Sequence, residues 1–381
     1  MFRHATVAPA RRREKLSGMP APLLEAWPKL AQRIAPARLG DFPTPVERLA
    51  RIETHVSAGP LYVKRDDLSS PIYGGNKVRT LEMLFGVAQA KGHTEITAVG
   101  AYGSNHAVAT ALHAPRVGLS PNALLFPQPA SAAALENLVV TSARARRCVP
   151  LLHWSSVPFA IWRARKEGAF VMPPGGAVPE GALGYVSAAL ELCKQVAEGV
   201  LPVPAAVVVG VGSCCTTAGL VLGSVLAARL GLVRAPLTIR AVRVSPWPIT
   251  SRTRILGLAV ATSKLLARLA ERAELAVTRR ELGAYLEIDG RELGAGYGLP
   301  TPRGLEAIEL FRREAGLTLD TTYSAKSAAG FLRRARELRE GPLVFWSTKS
   351  SAPLPVISQE QAAHAPQRLR SYLRDAEKTL G

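Results

Sequence analysis

Residues 207–223 read VVVGVGSCCTTAGLVLG. A run of valines breaks at Gly210 and Gly212, passes through Ser213, Cys214, Cys215, Thr216 and Thr217, and resumes as the apolar segment AGLVLGSVLAARL at 218–230. The first run is apolar on both faces, as in a strand covered by helices on each side; the second has the length and composition of a buried helix. A strand that turns directly into a helix is the building step of a parallel α/β sheet. Ligands of such sheets bind at the carboxyl ends of strands, and free N–H groups at a helix N-terminus suit a phosphate-sized dianion. The turn is neither GxGxxG nor GxxxxGK[ST], so a plain strand-turn-helix connection is the other reading.

Working outward, the same alternation recurs along the chain. Further β-rich runs lie at 61–65, 94–100, 122–127, 148–152, 169–173, 237–244 and 341–347. Helix-like segments fall between them near 76–91, 105–117, 131–145, 181–198, 216–230, 254–272, 303–315 and 325–338. This pattern predicts an α/β protein with two doubly wound domains and mostly parallel sheets.

Composition narrows the function classes. A chain of 381 residues, 48% of them hydrophobic, is long enough to bury a large core. Its most apolar long segment, Ile255 to Leu269, is interrupted by Lys264 and Arg268, so no membrane span is expected. The net charge of +19 raises nucleic-acid binding as a reading. Yet the basic residues are scattered, and the densest group, FLRRARELRE at 331–340, interleaves glutamates as on a solvated, ion-paired helix face. No specific nucleic-acid partner is expected. Cys148, Cys193, Cys214 and Cys215 make neither a disulfide framework nor a metal knuckle, which points to a reducing, cytoplasmic compartment and no metal. The start, MFRHATVAPARRREKLSG, lacks the apolar stretch of a secretory signal and reads as a frayed basic tail, or alternatively a transit peptide.

The stretch YGGNKVRTLE at 73–82 begins a helix with Asn76 as the predicted N-cap and places Lys77 in the first turn. An ammonium is poorly placed beside the positive end of a helix dipole. The neutral amine is favoured there, and a neutral lysine amine is a nucleophile able to form a Schiff base. VGAYGSNHAVATAL at 99–112 is another strand-to-helix junction, where Ser104 and Asn105 either cap the helix or hold a carboxylate or phenolic oxygen. Two later loops, GAGYGLPTP at 294–302 and LDTTYSAKSAAG at 319–330, each present a tyrosine, Tyr297 and Tyr323, suited to proton donation or to packing.

Six stretches in order carry a resemblance: YVKRDDLSSPIYGGNKVRTLE, GAYGSNHAVATA, PPGGAVPEGALGYVSAALEL, GSCCTTAGL, GYGLPTPRGLEAI and LDTTYSAKSAAG. Over about Pro43 to Pro353 the chain resembles the pyridoxal-phosphate-dependent family of 1-aminocyclopropane-1-carboxylate deaminases and D-cysteine desulfhydrases. The resemblance implies a tryptophan-synthase-β-like fold. It divides the chain into a basic, partly flexible extension (1–40), a large cofactor-binding domain (41–82 with 196–381) and a small domain (83–195), and it implies a homodimer acting on a small amino acid. It implies that Lys77 holds pyridoxal 5′-phosphate and shuttles protons. Asn105 is implied at the pyridine ring's 3′-oxygen and Ser104 at the substrate carboxylate. Gly212, Ser213, Cys214, Cys215 and Thr216 would cradle the phosphate, with Tyr297 and Tyr323 flanking the substrate. Ser324 stands where deaminases of the family carry a glutamate that protonates the pyridine nitrogen, and Thr348 fits the hydroxyl of the desulfhydrase pattern HTGG. A neutral partner stabilises a carbanion less, which favours β-elimination of a thiol over ring opening.

The chain departs from the family pattern around this lysine. Cys214 and Cys215 replace the glycines of GSGGT, and a non-glycine residue there costs about 1 kcal/mol or more if it needs positive φ. Thr80 stands where the family often has a basic residue near the phosphate, Lys349 and Ser350 replace glycines, and Gly103 replaces a bulkier polar residue. Cys214 reads as a buried inert thiol or as a reactive one at a helix start.

Overall fold

The computed structural model describes residues 21–338 and 340–380, so most of the basic start expected to fray lies outside the described residues. Among the described residues ten strands form two sheets. In chain order they are β1 (Val46–Arg48), β2 (Gly59–Lys64), β3 (Glu95–Ala101), β4 (Ser120–Phe126), β5 (Arg147–Pro150), β6 (Phe170–Met172), β7 (Ala206–Val211), β8 (Ile239–Arg243), β9 (Leu286–Asp289) and β10 (Glu340–Trp346). The larger sheet has the order β1-β2-β10-β7-β8-β9 and is parallel except for β1; the smaller has the order β5-β4-β3-β6 and is parallel throughout.

The valine run of β7 shows why the larger sheet is covered on both faces. Val207 and Val209 enter one core with Val344 and Trp346 of β10, while Val208 enters the opposite core with Leu343 and Phe345. Side chains alternate across a strand, so a strand apolar at every position feeds two cores. The first core holds helices Pro179–Ala197, Cys215–Arg229 and Arg252–Ala270; the second holds helices Ala50–Val56, Pro302–Ala315 and Ser324–Leu338. The smaller sheet is covered likewise, with Ala123 and Leu125 on one face and Leu124 on the other.

Three stretches near the borders of the expected division are placed by the cores they enter. Residues 21–40 were expected within a partly flexible extension, but Leu23, Trp27, Leu30 and Ile34 are buried in the larger sheet's core. Helix Pro179–Ala197, expected to lie mostly in the small domain, packs Leu183, Tyr185, Val186 and Cys193 into that same core. The C-terminal helix Gln367–Leu380, expected with the large domain, sends Leu369 and Tyr372 to the smaller sheet's core.

A buried ionic network fixes the helix Lys77–Ala90. Arg79 donates to both Asp66 and Glu191, Lys64 Nζ donates to Glu191 Oε1 at 2.5 Å and to Thr44 O at 2.7 Å, and Tyr185 and Trp346 also donate to Asp66. The two cations and two carboxylates balance, and each oxygen has donors, which is the condition under which a buried ion pair is tolerated. The network ties β2, the Lys77 helix and helix Pro179–Ala197 together two residues beyond the candidate lysine.

Candidate active site

The loop before Lys77 is held by backbone groups. Gly75 N donates to Asp66 O at 2.8 Å, Asn76 N to Thr348 O at 3.1 Å, and Gly74 N to Ser350 Oγ at 2.9 Å. Gly75 has φ +87°, and a Cβ there would lie 2.4 Å from Thr348 O, so only glycine fits this crossing of two loops. Asn76 occupies the cap position without capping. Its side chain instead reaches across, Nδ2 donating to Thr216 Oγ1 at 3.0 Å, which corrects the N-cap expectation and links the lysine loop to the anion loop. Lys77 is half-buried at its surface, and its Nζ donates to Gly175 O at 3.3 Å. Burial lowers its pKa, which favours the neutral, nucleophilic amine.

Opposite Lys77 lies the loop after β7. Cys214 takes φ 75°, the left-handed region, whereas Cys215 is the first residue of helix Cys215–Arg229. Of the two glycine replacements one is therefore strained and the other is not. Burial raises the thiol of Cys214 and pushes that of Cys215 up to about 11, which favours the protonated, less nucleophilic form of both. Gly175 at φ +68° faces this loop, and a Cβ there would lie 2.2 Å from Ser213 Oγ and 3.4 Å from Lys77 Nζ. The first turn of helix Cys215–Arg229 holds no acidic residue. A helix N-terminus, hydroxyls and side-chain-free glycines within reach of a buried lysine amine fit a phosphorylated aldehyde.

The junction after β3 supplies the third wall. Ser104 caps helix Asn105–His113, its Oγ accepting from Ala107 N at 3.3 Å. Asn105 Oδ1 accepts from Tyr73 OH at 3.0 Å and from Asn137 Nδ2 at 2.8 Å, which fixes the amide so that its own Nδ2 is the donor left for a ligand. Gly103 is explained by packing: a Cβ there would lie 2.5 Å from Ala134 Cβ, so the bulkier residue of the family pattern has no room.

The fourth wall carries the tyrosines. Tyr323 Cε1 lies 3.2 Å from the place a Cβ on Gly212 would take, and the Tyr323 and Tyr297 hydroxyls are hydrogen-bonded to each other. Burial pushes Tyr297 up to about 12 and Tyr323 well above the ordinary range, so both are protonated at neutral pH. Ser324 is fully buried, but its hydroxyl donates to Asp320 Oδ2 at 2.7 Å and accepts from Asp320 N at 2.6 Å. Its proton is therefore committed within the chain.

Of the residues singled out from sequence, Lys77 reaches Gly175, which abuts Ser213; its loop meets Thr216 and Thr348; and Tyr297 meets Tyr323 beside Gly212, while Ser104 and Asn105 are held by Ala107, Tyr73 and Asn137. Pattern reasoning gave no role to Tyr73 and Asn137, which orient Asn105, or to Gly175 and Gly176, which pack against Ser213 and Thr80; it reads His106 as a partly buried first-turn residue, and the structure buries it to 1% exposure. Pattern reasoning also overlooked Lys326, whose Nζ donates to Leu293 O and Gly296 O and so holds the Tyr297 loop. Asn137 lies in a helix with no distinguishing motif, whereas Lys326 stood within LDTTYSAKSAAG three residues after Tyr323. No helix among the described residues is long and apolar enough to cross a membrane.

A buried first-turn lysine facing a helix N-terminus, between two mostly parallel sheets, is the arrangement of the tryptophan-synthase-β-like pyridoxal-phosphate enzymes. The chain belongs to the pyridoxal-phosphate dependent enzyme family, whose sequence model matches residues 37–349. It is 34% identical over 335 residues to nocardicin C-9′ epimerase of Nocardia uniformis subsp. tsuyamanensis, covering 86% of this chain and 94% of the relative. It is 31% identical to D-cysteine desulfhydrase of Salmonella choleraesuis (strain SC-B67), covering 82% and 93%. Among solved structures, an ACC deaminase homologue superposes with TM-score 0.70 at 25% identity, over 94% of this chain and all of that one. The protein is therefore a pyridoxal-phosphate-dependent enzyme of the lyase and deaminase group that holds ACC deaminases and D-cysteine desulfhydrases.

Proposed function

We propose that this enzyme acts on a small amino acid by β-elimination of the D-cysteine desulfhydrase kind, releasing a keto acid, ammonia and sulfide. One observation carries the reading: Lys77, with its pKa lowered by burial, stands between the anion loop, the Asn105 amide and the tyrosine pair. Bound pyridoxal phosphate supplies the electron sink for the charge left when the α-proton departs. Lys77 holds the cofactor and then takes that proton. Ser104 and the N–H groups opening helix Asn105–His113 hold the substrate carboxylate, and Asn105 Nδ2 donates to the cofactor's phenolic oxygen. Gly212 to Thr216 hold the phosphate. The protonated pair Tyr297 and Tyr323 faces the leaving group as a proton source. Thr348, a neutral hydroxyl, partners the ring nitrogen, which suits expulsion of a good leaving group without a long-lived carbanion.

A second reading is supported by the epimerase relative together with the tyrosine pair, which is a proton source separate from Lys77. Two proton-transfer groups are what inversion at the α-carbon needs.

The test is the visible spectrum of purified protein with pyridoxal phosphate, then with D-cysteine in deuterated water while sulfide is assayed. A band lost in Lys77→Ala and trapped by borohydride, with sulfide released, supports elimination. Deuterium entering the α-carbon without sulfide supports epimerisation instead. No band in the parent protein overturns both readings.

A further inference from the structure

His106 follows Asn105 in the first turn of helix Asn105–His113 and is 1% exposed. Neither of its ring nitrogens has a hydrogen-bond partner among the described residues. Leaving a buried polar atom unpaired is costly, and such atoms in folded proteins are nearly always met by protein, water or ligand. A partner from outside the described residues is what this imidazole lacks.

Its surroundings say what that is. A Cβ placed on Gly176 would lie 3.3 Å from His106 Cε1, 2.7 Å from Thr80 Cγ2 and 3.0 Å from Leu84 Cδ1. Cys215, the first residue of the anion-loop helix, donates through Sγ to Gly176 O at 3.2 Å, and Thr80 Oγ1 lies 4.0 Å from the same sulfur. His106, Thr80 and the N-terminus of helix Cys215–Arg229 thus surround one glycine on the phosphate side of Lys77. Thr80 and the first turn of helix Cys215–Arg229 carry no charged side chain, and the unpaired imidazole lies beside them.

We propose that His106 is a cofactor-phosphate ligand, donating from a ring nitrogen beside the uncharged Thr80 and the start of helix Cys215–Arg229. This rests on the reading that Lys77 holds pyridoxal phosphate. In the free protein burial, aided by the nearby Lys77, holds His106 down to about 3 and therefore neutral, so it offers one N–H donor. A phosphate dianion beside it favours the imidazolium and a second donor.

The experiment compares pyridoxal phosphate with pyridoxal, which has the aldehyde but no phosphate, by titrating the visible band at Lys77. A hydrogen bond to a charged group corresponds to roughly a ten- to hundredfold change in affinity. His106→Phe is expected to lose that much for pyridoxal phosphate and little for pyridoxal. His106→Gln, which keeps a donor, should lose less, and adding Thr80→Lys to His106→Phe should restore binding, with circular dichroism confirming that each variant folds. Equal losses for the two aldehydes, or no loss for the phosphorylated one, overturn the proposal. A separate arm adds inorganic phosphate to the free protein and follows the His106 ring resonances by NMR. A shift that persists in Lys77→Ala supports the phosphate site even if the reading of Lys77 fails; no shift overturns it.

Discussion

Tyr297 and Tyr323, from two different loops, share a hydrogen bond between their hydroxyls, with the rings edge-on and their centroids 5.7 Å apart. One hydroxyl must donate to the other, so only one proton of the pair is free for chemistry. Tyr297→Phe and Tyr323→Phe are each expected to lower kcat by about a hundredfold or more while leaving cofactor binding intact, as for loss of a general acid. Because burial holds both tyrosines protonated, neither should produce a limb in the pH–rate profile near neutrality. Kinetics of the two variants across pH check both points.

Ser324 and Thr348 should separate. Ser324 is hydrogen-bonded to Asp320, so Ser324→Ala is expected to cost about 1 kcal/mol of stability and leave the visible cofactor band in place. Thr348→Val is expected to shift the band and slow turnover with little change in the unfolding midpoint. Urea titrations and spectra of the two variants decide the assignment.

Cys214 carries backbone strain that Cys215 does not. At φ 75° a side chain costs about 1 kcal/mol that glycine avoids, so Cys214→Gly should be more stable than Cys214→Ala by roughly that amount. Cys215 begins a helix, so there the order reverses, with Ala better than Gly by about 0.5–1 kcal/mol. The four variants, compared by chemical denaturation, test the difference in backbone conformation directly.

Glu191 and Glu82 predict a stability optimum in mild acid as far as these two groups decide it. Although burial opposes it, Arg79 and Lys64 hold Glu191 down to about 2 in the folded protein, against an ordinary value of 4.5. Its contribution is therefore present above 4.5 and lost as the pH falls through about 2. Burial raises Glu82 to about 7, despite the N–H groups of Leu39 and Gly40 on its Oε1, so its contribution is full below 4.5 and lost as the pH rises through 7. Glu191→Gln, which leaves Lys64 and Arg79 with a single carboxylate, should cost about 3–5 kcal/mol and remove the acid limb. Denaturation midpoints from pH 2 to 8 check the signs.

Much of the architecture was legible before any coordinates. The strands and helices read from periodicity match observed elements to within a few residues, because strands covered on both faces and amphipathic or fully buried helices leave strong local patterns. The short strands Val46–Arg48 and Leu286–Asp289 and the helices Ala50–Val56, Val157–Lys166 and Gln367–Leu380 escaped notice. The two strands are short edge strands, and Val157–Lys166 turns Val157, Ala160, Ile161 and Ala164 to the smaller sheet but buries none of its residues fully. The boundaries between cores were less legible, since nothing local tells helix Pro179–Ala197 which sheet will cover it.

The sequence by itself determined the alternating α/β plan and the family, because those depend on local periodicity and on the order of short motifs. Only the tertiary structure decided which groups pair. Asn76 reaches Thr216 instead of capping, Ser324 spends its proton on Asp320, Cys214 rather than Cys215 bears the strain, and His106 has no partner among the described residues. The physical reason is that hydrogen bonds and desolvation depend on atoms brought within about 3 Å across loops far apart in the chain, and no local pattern encodes that distance.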